Sequence, residues 1–368
     1  MIYDIFGDAV KVAYEDDKIA ESLDCWLKYY PFSNKNNADI NITFVKSLPE
    51  YKKEIYYSSP TSYKVYDNVV LMKIGKHEIV FDKKDVLSIY IKYNYKTNFI
   101  KDYLLKFRSI GYFNSLENIG AFFHEMILVL MQYILNEKML IHSSAVKNLV
   151  TNEVILFGGS GGVGKTSLEL LLCNELNYSF IADDISVVDK DGYVYPNLAF
   201  PKIYAYNIIN NENIENKIFK NRDILDKLQW SLMRKIRGDK GIRRAISPFD
   251  LYETIERKKN KITSYYILQR TNKVDKITIT DLDKGIASYA TYLIIKNEYG
   301  MATQHFIWDE YNTLFDYRIK PIVVLDEVYE NWKKRYETLF SKIDTYLIEI
   351  PVNIQHKDFI NFFKNYFG

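Results

Sequence analysis

The feature that most constrains this chain is an eight-residue, glycine-rich segment that follows a short apolar run. Residues 159–166 read Gly-Ser-Gly-Gly-Val-Gly-Lys-Thr, the pattern G-x-x-x-x-G-K-[ST], and the apolar run Val154–Phe157 precedes them. Between a strand and a helix, such a segment forms a phosphate-binding loop (P-loop), because its glycines turn successive N–H groups toward one anion and the helix N-terminus adds its positive end. The alternative is a glycine-rich turn that opens an ordinary helix, but Lys165 and Thr166 stand at the offsets that the loop requires.

The motif predicts that the chain binds a nucleoside triphosphate with Mg²⁺. The Lys165 ammonium would neutralise the β- and γ-phosphates, and the Thr166 hydroxyl would hold the metal ion. The predicted nucleotide-binding residues are Gly159, Ser160, Gly161, Gly162, Val163, Gly164, Lys165, Thr166 and Ser167.

Two adjacent carboxylates, Asp183 and Asp184, end the next apolar stretch along the chain. We expect a helix over about 166–177 and then a short buried strand, so that strand, helix and strand bring the carboxylates near the phosphates. One carboxylate can hold Mg²⁺ and the other can accept a proton from an incoming hydroxyl. Asp is also common in exposed turns, which is the alternative for this pair.

A histidine precedes the loop in the segment Leu140–Val146, which reads Leu-Ile-His-Ser-Ser-Ala-Val. We expect a strand that ends near His142 and lies beside the P-loop strand. A histidine there can orient a carboxylate or contact a phosphate, although a purely structural role is the alternative.

These three segments together resemble the kinase domain of HPr kinase/phosphorylase and its relatives. Those proteins share a fold core with phosphoenolpyruvate carboxykinase, and they include lasso peptide kinases, other peptide-tailoring kinases and free-serine kinases. The resemblance covers about residues 138–205. The loop departs from the family frame G-x-S-G-x-G-K-[ST], because Gly161 stands where the family has Ser.

The resemblance implies an α/β fold: an HPr kinase-like P-loop core with a mixed sheet, preceded by a smaller mixed α+β N-terminal domain. It implies ATP and Mg²⁺ as cofactors, with Thr166 and Asp184 as metal ligands. The implied catalytic residues are Asp183, Asp184, His142 and Lys165. We take Asp183 as the proton acceptor and Asp184 as the metal ligand, although the two roles can be exchanged. No C-terminal signature of the bifunctional enzyme is found, so neither phosphorylase activity nor HPr as substrate is expected.

A second candidate acidic motif is the segment 322–327, Ile-Val-Val-Leu-Asp-Glu, which fits the Walker B pattern of ATPase motors. No ATPase sensor or signature motif lies between it and the P-loop. We therefore interpret it as a strand followed by a helix over about 329–340, whose first turn favours acidic residues.

Basic residues cluster in residues 234–244, a segment that is either a solvated loop or a lid over the phosphates. Its predicted phosphate or substrate contacts are Arg237, Arg243 and Arg244, together with Arg270 at the end of a predicted strand over 265–268.

Earlier in the chain, the sequence predicts a helix over 17–27, a strand meander over 63–94 with turns at 67–68 and near 75–76, and a helix that Ser115 caps and that runs to about Asn136. The expected domains are an N-terminal domain at 1–112, a connecting helix at 113–137 and a kinase domain at 138–368.

Composition and charge narrow the class of protein. A net charge of +2 argues against a general nucleic-acid binder, and the two cysteines, Cys25 and Cys173, fit a reducing cytoplasm. No signal peptide is expected at the start, and the apolar segment 126–135 is too short to span a bilayer.

Three functions remain open from the sequence. The first is an ATP-dependent kinase that phosphorylates a Ser or Thr hydroxyl of a peptide or small protein. Such a kinase can also be a homo-oligomer. The second is a kinase of free serine or another small molecule. The third is a nucleotide-gated module that binds a peptide without phosphorylating it.

Overall fold

The computed structural model of this 368-residue chain is a mixed α/β structure. It describes residues 1–51, 57–59, 63–66, 69–84, 86–96, 98–209, 211–315 and 320–368. The predicted turn at 67–68 lies outside these residues.

The strands of the described residues are β1 Ile2–Ile5, β2 Asp8–Tyr14, β3 Ile40–Phe44, β4 Tyr57–Ser59, β5 Tyr63–Tyr66, β6 Val69–Ile74, β7 His77–Asp82, β8 Leu87–Lys92, β9 Met139–Ile141, β10 Ser143–Asn148, β11 Val154–Gly158, β12 Tyr178–Ala182, β13 Ser186–Val188, β14 Tyr193–Tyr195, β15 Lys202–Tyr204, β16 Arg243–Ala245, β17 Asn260–Lys261, β18 Ser264–Thr271, β19 Thr278–Asp281 and β20 Asp344–Pro351.

The α-helices are α1 Asp17–Leu27, α2 Phe99–Arg108, α3 Ile119–Phe122, α4 Val129–Leu135, α5 Lys165–Glu175, α6 Glu212–Phe219, α7 Ile224–Arg237, α8 Pro248–Leu251, α9 Lys284–Glu298, α10 Gly300–Thr313, α11 Leu325–Phe340 and α12 His356–Phe367. A π-helical turn, Phe123–Leu128, joins α3 to α4, and two short 3₁₀ segments are Ala205–Ile208 and Asp239–Gly241.

The chain forms two compact units. The first contains Met1–Thr97, Ser115–Asn136 and Lys296–Asn331, and the second contains Asn98–Asn114, Glu137–Ile295 and Trp332–Gly368. The segment 98–114 groups with the P-loop, and the segment 296–331 groups with the N-terminal residues.

The first unit is built on an eight-stranded sheet in the order β1-β2-β3-β8-β7-β6-β5-β4. Helix α1 begins at the predicted residue because the Asp16 carboxylate caps the N–H groups of Lys18 and Ile19. The meander β5–β8 is confirmed. The predicted helix start at Ser115 is wrong, because the helix begins at Ile119 after Asn118.

The second unit contains a six-stranded mixed sheet in the order β12-β10-β11-β18-β20-β19. Strand β10 runs antiparallel to both β11 and β12, whereas β11, β18 and β20 are parallel. The predicted strand, helix and strand β11-α5-β12 are confirmed, with β10 inserted between the two strands. Apolar residues of the sheet, including Phe157, Phe180 and Ile348, form the core against α5 and α12.

The predicted strand at 322–325 is wrong. Helix α11 begins at Leu325, so Asp326 and Glu327 lie in its first turn, where the helix dipole favours acidic residues. Both residues belong to the first unit, whereas the P-loop belongs to the second. Within the described residues, no helix is long and apolar enough to cross a membrane.

Candidate phosphate-binding site

The glycine-rich loop connects β11 to α5 as the sequence predicts. Gly159 and Gly164 have φ values of 136° and 124°, a region that side chains with a Cβ atom rarely enter. A Cβ atom would also lie 2.6 Å from the Leu268 carbonyl oxygen at Gly159 and 2.9 Å from the Phe359 ring at Gly164. At Gly161 and Gly162 it would meet nothing within 4 Å, so the middle of the loop faces open space.

The Lys165 ammonium lies directly beneath this loop. It is buried, and it donates to the carbonyl oxygens of Gly159 at 2.8 Å and Ser160 at 3.0 Å. The third contact joins Lys165 Nζ to His142 Nε2 at 3.0 Å. Three protein contacts therefore fix a cation at the place where the motif requires one.

His142 lies at the point where the chain passes from one sheet to the other. Strand β9, in the four-stranded sheet, ends at Ile141, and β10, which starts at Ser143, pairs with the P-loop strand. Because Nε2 accepts from an ammonium, a neutral ring carries its proton on Nδ1. That atom is 3.7 Å from Asp184 Oδ1, so the ring connects Lys165 to the acidic pair.

Asp183 and Asp184 follow β12 at the same edge of the sheet, but their surroundings differ. Asp183 is half-buried and accepts a hydrogen bond from the Thr166 hydroxyl at 3.2 Å. Burial, and then the charge of Asp184, raise the pKa of Asp183 to about 6, although Lys165 opposes this shift. Asp184 is exposed and has a φ of 65°, a left-handed conformation that Asp tolerates in turns.

A third carboxyl group, which the sequence analysis missed, lies behind the pair. Glu169 is fully buried one helical turn after Thr166 and accepts a hydrogen bond from the Tyr252 hydroxyl. Burial, and then the charge of Asp183, raise the pKa of Glu169 well above its ordinary value. The sequence did contain a signal for Glu169: it is a charged residue between two leucines, and it follows Thr166 by three residues, which places both on one face of the helix.

A cavity of about 630 Å³ opens beside the loop. Among the predicted contacts, Arg270 lines it, and so does Lys240 of the basic segment. Two stacked tyrosines form part of the wall, with their ring centroids 5.4 Å apart. The lining residues are Gly161, Gly162, Gly164, Ser167, Tyr204, Tyr206, Ile209, Lys240, Arg270, Val352, Ile354, His356 and Phe359.

The three arginines predicted in the basic segment have three different positions. Arg243 donates to the hydroxyl of Tyr204 at 2.8 Å, and Tyr204 in turn lines the cavity. Arg237 is exposed and donates to the Arg108 carbonyl oxygen.

Arg244 is a correction to the predicted set. Its guanidinium is fully buried, lies 2.6 Å from the Asp226 carboxylate and donates to the Gln229 side chain at 2.6 Å. It therefore anchors α7 and is not among the residues that line the cavity.

A scan of this sequence against protein-family models gave no match, and a search of curated proteins found no match either. Functional assignment therefore depends on the chemistry of the site.

Proposed function

We propose that this chain is an ATP-dependent kinase that transfers the γ-phosphoryl group to a Ser or Thr hydroxyl of a peptide or small protein. The observation that carries the proposal is the convergence of an ammonium, a hydroxyl and a carboxylate at one glycine-rich loop. Lys165 is held beneath the loop, and Thr166 donates to Asp183 beside it. Phosphoryl transfer needs positioning and charge neutralisation more than covalent help from the protein, and these groups supply both.

The residues fit ATP and Mg²⁺. An added Cβ would meet nothing at Gly161 or Gly162, which leaves room for phosphate oxygens above the loop, and Lys165 supplies the cation. Mg²⁺ prefers hard oxygen ligands, and the Thr166 hydroxyl and a carboxylate are such ligands. When bound, Mg²⁺ would neutralise the charge that develops on the phosphate oxygens.

The hydrogen bond of Thr166 favours exchanging the two Asp roles that the sequence analysis assigned. A hydroxyl and a carboxylate that already touch can share one cation, so Thr166 and Asp183 would hold Mg²⁺. The exposed Asp184 would then accept the proton of the acceptor hydroxyl, and His142, 3.7 Å away, would orient it.

The proposed step conserves atoms and charge. The acceptor oxygen forms a bond to the γ-phosphorus, and its proton passes to Asp184. The bond between the γ-phosphorus and the β–γ bridging oxygen breaks, and ADP leaves with that electron pair.

The acceptor class is supported by the family resemblance and by the composition of the cavity wall. Lys240 and Arg270 bring positive charge to the cavity, which suits a phosphorylated ligand or an acidic peptide. Peptide tailoring in natural-product biosynthesis, a cytoplasmic location and a homo-oligomer remain part of the proposal.

The test is an incubation with γ-labelled ATP and Mg²⁺ in the presence of either free serine or a candidate precursor peptide from the same gene cluster. The proposal expects the peptide to gain the mass of one phosphate, and expects no gain after its Ser or Thr is replaced by Ala. Labelling of free serine alone would favour the small-molecule kinase. Peptide binding without any transfer would favour the non-catalytic module.

A further inference from the structure

Helix α7 exposes a stripe of apolar residues, while it buries two polar residues together with Trp230 and Met233. Its buried face includes Asp226 and Gln229, which pair with Arg244. Its solvent face carries an apolar stripe in which Leu228 is 57% and Ile236 is 65% exposed. The stripe, at spacings of three and four residues, is Ile224, Leu225, Leu228, Leu232 and Ile236.

The stripe is too regular to be a scattering of single apolar side chains. Residues three and four apart lie on one face of a helix, and over 12 residue steps they form a strip about 18 Å long. Contiguous exposed apolar surface of this kind is typical of an interaction site.

The charges beside the stripe are mainly positive. Lys227, Lys235 and Arg237 are exposed on α7, whereas the acidic Asp226 is buried in its pair with Arg244. Arg234 and Asp239 pair with each other at 2.5 Å. A partner that fits this face therefore carries apolar side chains together with carboxylates.

A second helix of the same unit, α2, also exposes apolar side chains. None of the residues of α2 is buried, and Phe99 is 84% exposed. The C-terminal end of α2 lies against α7, because the Gln229 side chain donates to the carbonyl oxygens of Phe107 and Ser109.

The C-terminal end of α7 leads directly to the phosphate-binding cavity. The helix ends at Arg237, and Lys240, three residues later, lines the cavity together with the loop glycines. The stripe therefore ends, at Ile236, four residues before a residue of the cavity wall.

We infer that the exposed face of α7 is a docking site for an apolar, acidic segment of the peptide acceptor, separate from the residue that is phosphorylated. This inference rests on the proposed function for the identity of the acceptor. Docking at a distance from the cavity would select the peptide through apolar anchors and charge, while the cavity would need to accommodate only the reacting residue.

Two other occupants fit the observations less well. A second copy of the chain docked face to face would bring Lys227, Lys235 and Arg237 near their own counterparts, and like charges at an interface are unfavourable. An anionic lipid surface would match the positive charge of α7, but it would not explain why this helix is followed directly by a residue of the cavity wall.

The probe is a fluorescein-labelled synthetic peptide with leucine at every third or fourth position, glutamate between the leucines, and a short Gly-Ser tail. Binding is measured by fluorescence anisotropy without nucleotide, so that it does not depend on turnover. The variant Leu228→Gln/Leu232→Gln changes only exposed side chains, and Leu149→Gln/Val150→Gln, also exposed, is the matched control.

We expect the Leu228→Gln/Leu232→Gln variant to lose affinity by about tenfold or more, and the control pair to bind like the wild type. A peptide with lysine in place of glutamate should bind the wild type more weakly, and Lys227→Glu/Lys235→Glu should reverse that preference. Lys165→Ala should keep peptide binding while it loses ATP, so failure of the kinase proposal is distinguishable from failure of the docking site.

Three results would overturn the inference. The first is equal affinity of the wild type and the Leu228→Gln/Leu232→Gln variant for the leucine peptide. The second is self-association in sedimentation velocity that this variant abolishes, which would assign the face to a second copy. The third is binding to vesicles of equal parts phosphatidylcholine and phosphatidylserine, with no peptide binding, which would assign the face to a membrane.

Discussion

Each side chain to which the proposal gives a chemical role contacts a neighbour in the protein. Lys165 is fixed by two loop carbonyls and His142, and Thr166 by Asp183. Groups that are already oriented need less reorganisation during the reaction, which is the main source of electrostatic catalysis. The motif therefore predicts the residue types, while the three-dimensional contacts suggest their roles.

The two carboxylates should respond differently to amide substitution. Asp183→Asn removes the carboxylate that touches Thr166, so Mg²⁺-dependent ATP affinity should fall by about tenfold or more. Asp184→Asn should keep that affinity and lower phosphoryl transfer by about 10²–10⁴-fold. Calorimetry and a transfer assay measure the two effects. Loss of Mg²⁺-dependent affinity in the Asp184 variant alone would restore the original assignment of roles.

The stability of the protein should also report the environment of Asp183. Its folded-state pKa is about 6 against an ordinary 3.8, so the fold prefers the protonated carboxyl. The ionised group therefore destabilises the fold above about pH 6, and this cost is relieved as the pH falls toward the ordinary value.

Asp183→Asn should consequently be more stable than the wild type at about pH 8 without Mg²⁺, by on the order of 1 kcal/mol. The difference should shrink at about pH 5, because the wild-type carboxyl is then largely protonated. Thermal unfolding at the two pH values measures this. An Asn variant that is less stable at both would show that the carboxylate is stabilised by its surroundings.

At the scale of elements, local sequence patterns predicted those helices, strands and loops that depend on neighbouring residues alone. The loop between β11 and α5, the meander β5–β8 and helix α1 all follow from periodicity, glycines and caps, and all are present. The insertion of β10 between β11 and β12 is a pairing of distant segments, and no local signal encodes it.

The sequence could not predict which of several basic residues would be buried. Arg243 and Arg244 are neighbours with the same charge, yet one lies on Tyr204 near the cavity and the other is fully buried against Asp226. Alternation along β16 sends successive side chains to opposite faces, and only the partner across the fold decides which face is buried. Glu169 was missed for a similar reason, since its partner Tyr252 is distant in sequence.

The buried pair predicts a large stability effect at Arg244 and a small one at Arg237. Arg244→Gln leaves the Asp226 carboxylate without its closest buried partner and should cost about 3–5 kcal/mol in the free energy of unfolding. Arg237→Gln changes an exposed side chain and should stay within about 0.5 kcal/mol. Urea denaturation measures both. If Arg244→Gln instead kept full stability and lost ATP affinity, the original prediction of a phosphate contact would be correct.

At the scale of the whole molecule, two compact units divide the chain, and the candidate chemistry lies in one of them. All the residues of the candidate site and of the proposed docking face belong to the second unit. The first unit has its own eight-stranded sheet and contains Asp326 and Glu327, the alternative acidic motif, in a helix start. The kinase account therefore predicts that changes at those two residues leave nucleotide binding intact.

The central claim is that this chain holds ATP through the loop around Lys165 in a way that depends on Mg²⁺. The direct measurement is a calorimetric titration of the full chain with ATP, with and without Mg²⁺, for the wild type, Lys165→Ala and the exposed-lysine control Lys190→Ala. We predict Mg²⁺-dependent binding by the wild type and Lys190→Ala, and a loss of about tenfold or more in Lys165→Ala, because this lysine supplies the positive charge beneath the loop. Unchanged ATP affinity in a folded Lys165→Ala protein would contradict the account.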